Sequence, residues 1–279
     1  MGDMTRRKLD NLVSVSFTFL FLLTAIAEFS VDAQSEGLYD IVLAANLDPP
    51  GIFVAPADTF NFTLIPGFDD HDHVRRPVAI DYDPVDGMVY WTDVQHSTIT
   101  RAFLDGTGSV VLLRNLDRPD GLSLDVENRV MYWTDAGSDL IERATLDGQN
   151  RSVVLNLTSP ALDAVEPRAI IVDTTNGHLY WTDWGKAPKI ERANTDGSSR
   201  MVLVSADLLW PNGLALDLQG GRMYWCDAGL DLIESTDLLG QNRLRHADLT
   251  SHSIHPFDIW FYRGDLYWTD WQFYKLLRL

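Results

Sequence analysis

The four-residue word YWTD stands at residues 90–93, 132–135, 180–183 and 267–270, and YWCD takes its place at 224–227. Successive copies are 42, 48, 44 and 43 residues apart. Each has a forerunner: RPVAIDYD (76–83), RPDGLSLD (118–125), EPRAIIVD (166–173), WPNGLALD (210–217) and HPFDIWFY (255–262). Four are followed by a third mark, ITRAFLDG, IERATLDG, IERANTDG or IESTDLLG. A three-part pattern at a near-constant interval restricts the chain to a repeat architecture, and a period of about 43 residues is that of a propeller blade.

Each copy reads as four short strands. An apolar run such as PVAIDYD leads through turn residues (PVDG, TTNG, LQGG) into the YW motif. The next segment ends on an Asp-Gly turn, and a run such as RSVVLNL or RMVLVS closes the unit. No apolar stripe at helical spacing survives these turns. Along a strand the side chains alternate, so Trp91 and Asp93 share one face and Tyr90 and Thr92 the other. Stacked blades cover both faces. The aromatics are therefore expected to fill the wedges between blades, with Thr and Asp satisfying buried polar groups at strand ends. The fold class is all-β, a six-bladed YWTD β-propeller. Its blades are expected around 38–65, 76–116, 118–157, 166–205, 210–249 and 255–279. The first lacks an opening strand and the last stops in its third, so either the sequence is truncated or the ring is incompletely closed, with the gap between residues 40–65 and the C-terminal end.

Before the repeats, Arg6, Arg7 and Lys8 precede an uncharged, mostly apolar run from Asn11 to Ala27, and Val31 and Ala33 follow. This order reads as a signal peptide over residues 1–33, leaving 34–279 as the propeller. Sequons at Asn61, Asn150 and Asn156 agree with export and are candidate glycosylation sites. A net charge of −18 argues against nucleic acid as a partner and favours basic or neutral ligands. One cysteine excludes an internal disulfide framework, so the core alone must hold the fold.

YWTD at this interval, with PRAI and WPNGLALD before it and KIERANTDGSSR after it, resembles the low-density lipoprotein receptor class B repeat. The runs YWTDWGKAPKIERANTDGSSR and HPFDIWFYRGDLYWTDW look most like the Wnt co-receptor and agrin-receptor branch of the receptor-related proteins. The resemblance implies an extracellular propeller, secreted or the ectodomain of a type I membrane receptor, that binds protein ligands on its top face. Those ligands would be Wnt-pathway ligands or antagonists, or basic, Asn-bearing peptides. It implies a binding module rather than an enzyme, with no catalytic residue, cofactor or metal, and contact with a membrane only through an anchor downstream.

On that face, the residue after the shared proline varies among Val78, Asp120, Arg168, Asn212 and Phe257, and variation on a fixed frame is where specificity can be written. The resemblance makes Arg168 and Asn212 ligand contacts, Trp210 and Trp271 aromatic contacts, and Trp184 the equivalent of Trp271 in another blade. Asp120 and Phe257 complete the expected face. Two other readings compete: a nidogen-like matrix adhesion protein, and a calcium-dependent lactonase-type enzyme using Asn212 as a metal ligand. For the second, an arginine and two apolar groups around Asn212 make a poor cage for a hard cation.

Three short features invite over-reading. RGD (263–265) falls where other copies place NGH or GGR, so turn chemistry accounts for it. DDHDH (69–73) has no counterpart in other copies and reads as a solvated loop. Cys226 occupies the position of the repeat's threonine, on a strand face covered by the next blade. It is expected to be buried and inert, with threonine there nearly neutral.

Overall fold

In the computed structural model, residues 15–16, 20–27, 40–48, 50–68, 74–158, 165–250, 255–270 and 275–279 are described. They form six four-stranded antiparallel sheets. The first blade comprises Leu20–Ala27 (β2), Ile41–Asp48 (β3), Pro50–Pro56 (β4) and Thr63–Leu64 (β5). The second comprises Pro77–Asp83 (β6), Met88–Asp93 (β7), Thr98–Phe103 (β8) and Val110–Leu113 (β9). The third and fourth begin with Pro119–Asp125 (β10) and Pro167–Asp173 (β14) and run outward through β13 (Ser152–Asn156) and β17 (Met201–Val204). The fifth comprises Pro211–Asp217 (β18), Arg222–Asp227 (β19), Leu232–Asp237 (β20) and Leu244–Asp248 (β21). The sixth comprises Pro256–Tyr262 (β22), Asp265–Asp270 (β23), Lys275–Arg278 (β24) and Val15–Ser16 (β1).

Six apolar wedges close the ring. The repeat tyrosine of one blade shares a cluster with the repeat tryptophan of the next: Tyr90 with Trp133, Tyr132 with Trp181, Tyr180 with Trp225, and Tyr224 with Trp268. Trp91 packs back onto Ile52, Ile65 and Phe68 of the first blade, and Tyr267 packs forward onto Val42, Ala44 and Phe60. All five repeat tryptophans are fully buried. The alternation of the motif therefore does what strand geometry requires, one aromatic to each side.

The expectation of an open ring is corrected. The fourth strand of the last blade is β1, with Val15 opposite Leu276 and Ser16 opposite Lys275. The innermost strand of the first is β2, which pairs with β3 and lies between β22 and β6 at the centre. The apolar stretch read as a leader thus supplies both strands. Apolar composition suits a strand covered on both faces as well as it suits a leader, so composition alone could not tell them apart.

The first two strands of five blades share one irregularity. The register skips between Pro77 and Ile80, Pro119 and Leu122, Pro167 and Ile170, Pro211 and Leu214, and Pro256 and Ile259. Such a bulge frees one backbone N–H, and the repeat threonine takes it up. Thr92 Oγ1 accepts from Ala79 N–H at 2.9 Å and donates to the carbonyl of Asp120 in the next blade at 2.8 Å. Thr134 links Gly121 N–H to Arg168 C=O, and Thr182 links Ala169 N–H to Asn212 C=O, in the same way. Cys226 breaks the series. It is fully buried, as expected, and burial raises its thiol pKa well above the usual range, so it is no nucleophile. Its Sγ lies 4.0 Å from the carbonyl of Gly213 and interacts with the Gly213 backbone of its own blade. Cys226→Thr is therefore expected to stabilise the protein, by about 1 kcal/mol for the regained hydrogen bond to the next blade, rather than to be neutral. Chemical denaturation checks this, and an unchanged midpoint would refute the relay.

The remaining short motifs resolve simply. Arg263 and Gly264 both have positive φ, 50° and 90°, the conformation of a two-residue hairpin turn, and Arg263 pairs with Asp40 at 2.6 Å. RGD is turn chemistry, as read. DDHDH lies outside the described residues.

Candidate ligand-binding face

The repeat aspartate ties the loop leading into a blade's first strand to the loop leaving its second. Asp227 is buried, and its carboxylate accepts the backbone N–H groups of Leu209 (2.8 Å), Trp210 (3.0 Å), Gly229 (3.0 Å) and Leu230 (3.0 Å). Asp135 does the same for Asp117, Arg118, Gly137 and Ser138, and Asp93 for Arg75, Arg76, Gln95 and His96. These clamps hold the ends of the strands that present the variable residues.

Six of the seven expected contact residues fall in one cluster, and Trp271 lies outside the described residues. Arg168 is at its centre. Its guanidinium donates through Nη1 to Asp120 and lies 4.2 Å from the centroid of the Trp184 ring and 5.7 Å from that of Phe257. The Arg168 and Asp120 side chains are only 14% and 7% exposed, so the two spend their charges largely on each other. Burial raises the pKa of the Asp120 carboxyl, and Arg168 offsets part of that shift. Trp184 meets Trp210 edge to face at 6.4 Å, and Trp210 is 45% exposed. Asn212 is 3% exposed, with neither Oδ1 nor Nδ2 hydrogen-bonded. The face therefore consists of a rigid Asp120–Arg168–Trp184 clamp, an exposed indole and an amide with unspent capacity on both sides.

Below this cluster the strands β6, β10, β14, β18 and β22 line a channel of about 300 Å³. Asp81 and Asp258 line it beside Asp120. Asp81 accepts the N–H groups of Tyr82 (2.7 Å) and Leu124 (2.8 Å), yet burial holds its pKa up at about 6. Asp258 accepts Ile259 N–H at 2.9 Å, and burial, reinforced by the charge of Asp120, pushes its pKa up to about 8. Sequence reasoning missed both acids, although Asp258 left a signal. It stands where the other copies carry Ala79, Gly121, Ala169 and Gly213. Among the described residues no three acidic, histidine or cysteine side chains come together as a metal centre.

Comparison with known proteins places this geometry. The low-density lipoprotein receptor repeat class B profile matches residues 129–174 and 177–218. The human low-density lipoprotein receptor-related protein 5-like protein is 39% identical over 196 residues, covering 70% of this chain and 75% of that protein. The chain belongs to the low-density lipoprotein receptor class B repeat family. Within it, human low-density lipoprotein receptor-related protein 5 is 48% identical over 208 residues, and the vitellogenin receptor Yl of Drosophila melanogaster is 33% identical over 202. The match spans 71% of this chain in both cases, but only 12% and 10% of those much longer receptors. Among solved structures, the class B repeat ring resembles a chain of the nidogen/laminin complex, with a TM-score of 0.70, 31% identity, and 83% and 85% of the two chains covered. A catalytically inactive virginiamycin B lyase from Staphylococcus aureus, at 16% identity and a TM-score of 0.64, shares the fold alone.

Proposed function

We propose that the chain is an extracellular propeller of the low-density lipoprotein receptor-related kind that captures protein ligands on the Trp210–Asn212 corner of its top face. The observation that carries this reading is a buried amide with both hydrogen-bonding atoms unused, beside a half-exposed tryptophan fixed by Asp227 and Trp184. An asparagine side chain on the ligand matches that amide donor to acceptor, and an exposed indole beside it is a typical hot-spot anchor. The acidic chain favours basic ligands. Wnt-pathway ligands or antagonists, or cargo of an endocytic receptor, are the classes the resemblance of the repeats implies. Export is supported by the basic-then-apolar start and by Asn61, Asn150 and Asn156, all exposed. Cleavage near residue 33 would withdraw β1 and β2 and leave the edges of β3 and β24 unpaired.

The test is capture, by the purified protein, of Asn-bearing basic peptides and secreted Wnt antagonists. Trp210→Ala is expected to weaken binding about 30-fold, a hot-spot loss of about 2 kcal/mol, with the melting curve unchanged because the ring is half exposed. Equal affinity for wild type and variant would refute the site. Arg168 is left out of the test because its clamp is structural. The likeness to nidogen favours a second reading, matrix adhesion, and laminin in the same panel separates the two.

A further inference from the structure

The channel beneath the top face carries unspent chemistry of its own. Asp120 is answered by Arg168, and Asp81 is held by two backbone N–H groups. Asp258 accepts only its own neighbour's N–H, and no cation among the described residues pairs with it. Asn212, 3% exposed, adjoins it with Oδ1 and Nδ2 both unpartnered. Gly213 makes this juxtaposition possible, because a Cβ there would lie 2.7 Å from Asp258 Oδ1. A cavity of about 300 Å³ lined by Asp81, Asp120 and Asp258 can take a positive group.

We propose that the channel is an ammonium subsite, in which the Asp258 carboxylate is the counter-ion and Asn212 Oδ1 a second acceptor for a primary ammonium, such as a lysine side chain of the ligand, inserted from the top face. The proposal rests on the ligand-binding reading above and specifies the chemistry of the group inserted. The other groups facing Asp258 are accounted for. Cys226 on β19 stays neutral, Asp120 is paired with Arg168, Asp81 is held by the N–H groups of Tyr82 and Leu124, and Asp270 on β23 turns away to accept His255 N–H at 2.6 Å.

The sign of the pH dependence follows. An ammonium needs Asp258 ionised, and Asp258 titrates at about 8. Below that pH each unit removes about nine-tenths of the binding-competent carboxylate, so affinity falls about tenfold per unit and levels off above it. A primary amine stays protonated throughout, since its pKa is about 10.4.

The experiment uses n-butylammonium chloride as probe and follows the full chain, selectively labelled at aspartate Cγ, by NMR between pH 6 and 9. Saturable binding that strengthens about tenfold per pH unit up to about 8, lowers the Asp258 titration midpoint and vanishes in Asp258→Asn is the expected result. Binding flat in pH, binding that persists in Asp258→Asn, or no saturable binding would overturn it. Acetamide binding best below pH 8 would also overturn it, by showing Asp258 to act as a protonated hydrogen-bond donor. None of these outcomes touches the Trp210 test, so the two readings fail separately.

Discussion

Asp227→Ala is expected to lower the unfolding free energy by about 3 kcal/mol or more. A hydrogen bond to a charged group contributes about 1.5–3 kcal/mol net, and a buried N–H left without a partner costs further. Asp227 accepts four such groups on two loops, and part of the loss is recovered as the loops open to water. Urea denaturation with wild type alongside measures the effect, and a loss below about 1 kcal/mol would show the loops to be held by packing instead. Because one of the four donors is the backbone of Trp210, the variant should also lose ligand capture in proportion as the indole's placement loosens. Asp227→Asn keeps an acceptor for some of the N–H groups and should fall between the two.

The second large effect concerns the Arg168 clamp. Arg168→Met removes one partner of a largely buried ion pair, a change that costs about 3–5 kcal/mol because the other charge is left unanswered. Here that charge is Asp120. Stacking on Trp184 is partly kept by the methionine, so the charge dominates the loss. Pairing Arg168→Met with Asp120→Asn should recover most of it, and the coupling read from the double-mutant cycle separates charge from packing. The cost should also fade towards pH 4. Without arginine the folded-state pKa of Asp120 rises further above its unfolded value, and a raised carboxyl penalises the fold only at pH values where the unfolded chain would ionise it. A double variant no more stable than Arg168→Met alone would mean that the arginine acts through its stacking.

The blades were legible because a strand's period of two and a blade's period of about 43 residues leave few alternatives once YWTD is aligned. The wedge roles of Tyr and Trp followed from alternation alone. The cluster of Asp120, Arg168, Trp184, Trp210, Asn212 and Phe257 was legible as a set of positions, since all sit at strand ends that one face must share. Its internal bonding was not. Asp120 and Arg168 are 48 residues apart, and nothing local in either segment says that they pair with each other rather than with a ligand. Threonine could be read as satisfying a buried polar group, but its donation to the following blade depends on inter-blade spacing that no single repeat encodes. Asp258 departs from the small residues of its column, Ala79, Gly121, Ala169 and Gly213, but nothing local says that its carboxylate faces a channel. For Leu20–Ala27, leader and inner strand make the same demand on composition, so the sequence there suits both.

The threonine relays all point one way around the ring, from each blade to its successor, like pins driven through the staves of a hoop. Between the fifth and sixth staves the pin is a thiol that meets the Gly213 backbone of its own blade. That joint is also where Gly213 lies against Asp258 and where Asn212 keeps its amide unspent. At that joint the following blade is held by packing without the threonine's hydrogen bond, on the corner that faces a ligand. Accommodation of a bulky ligand there can be borne by that one seam while the other wedges stay packed.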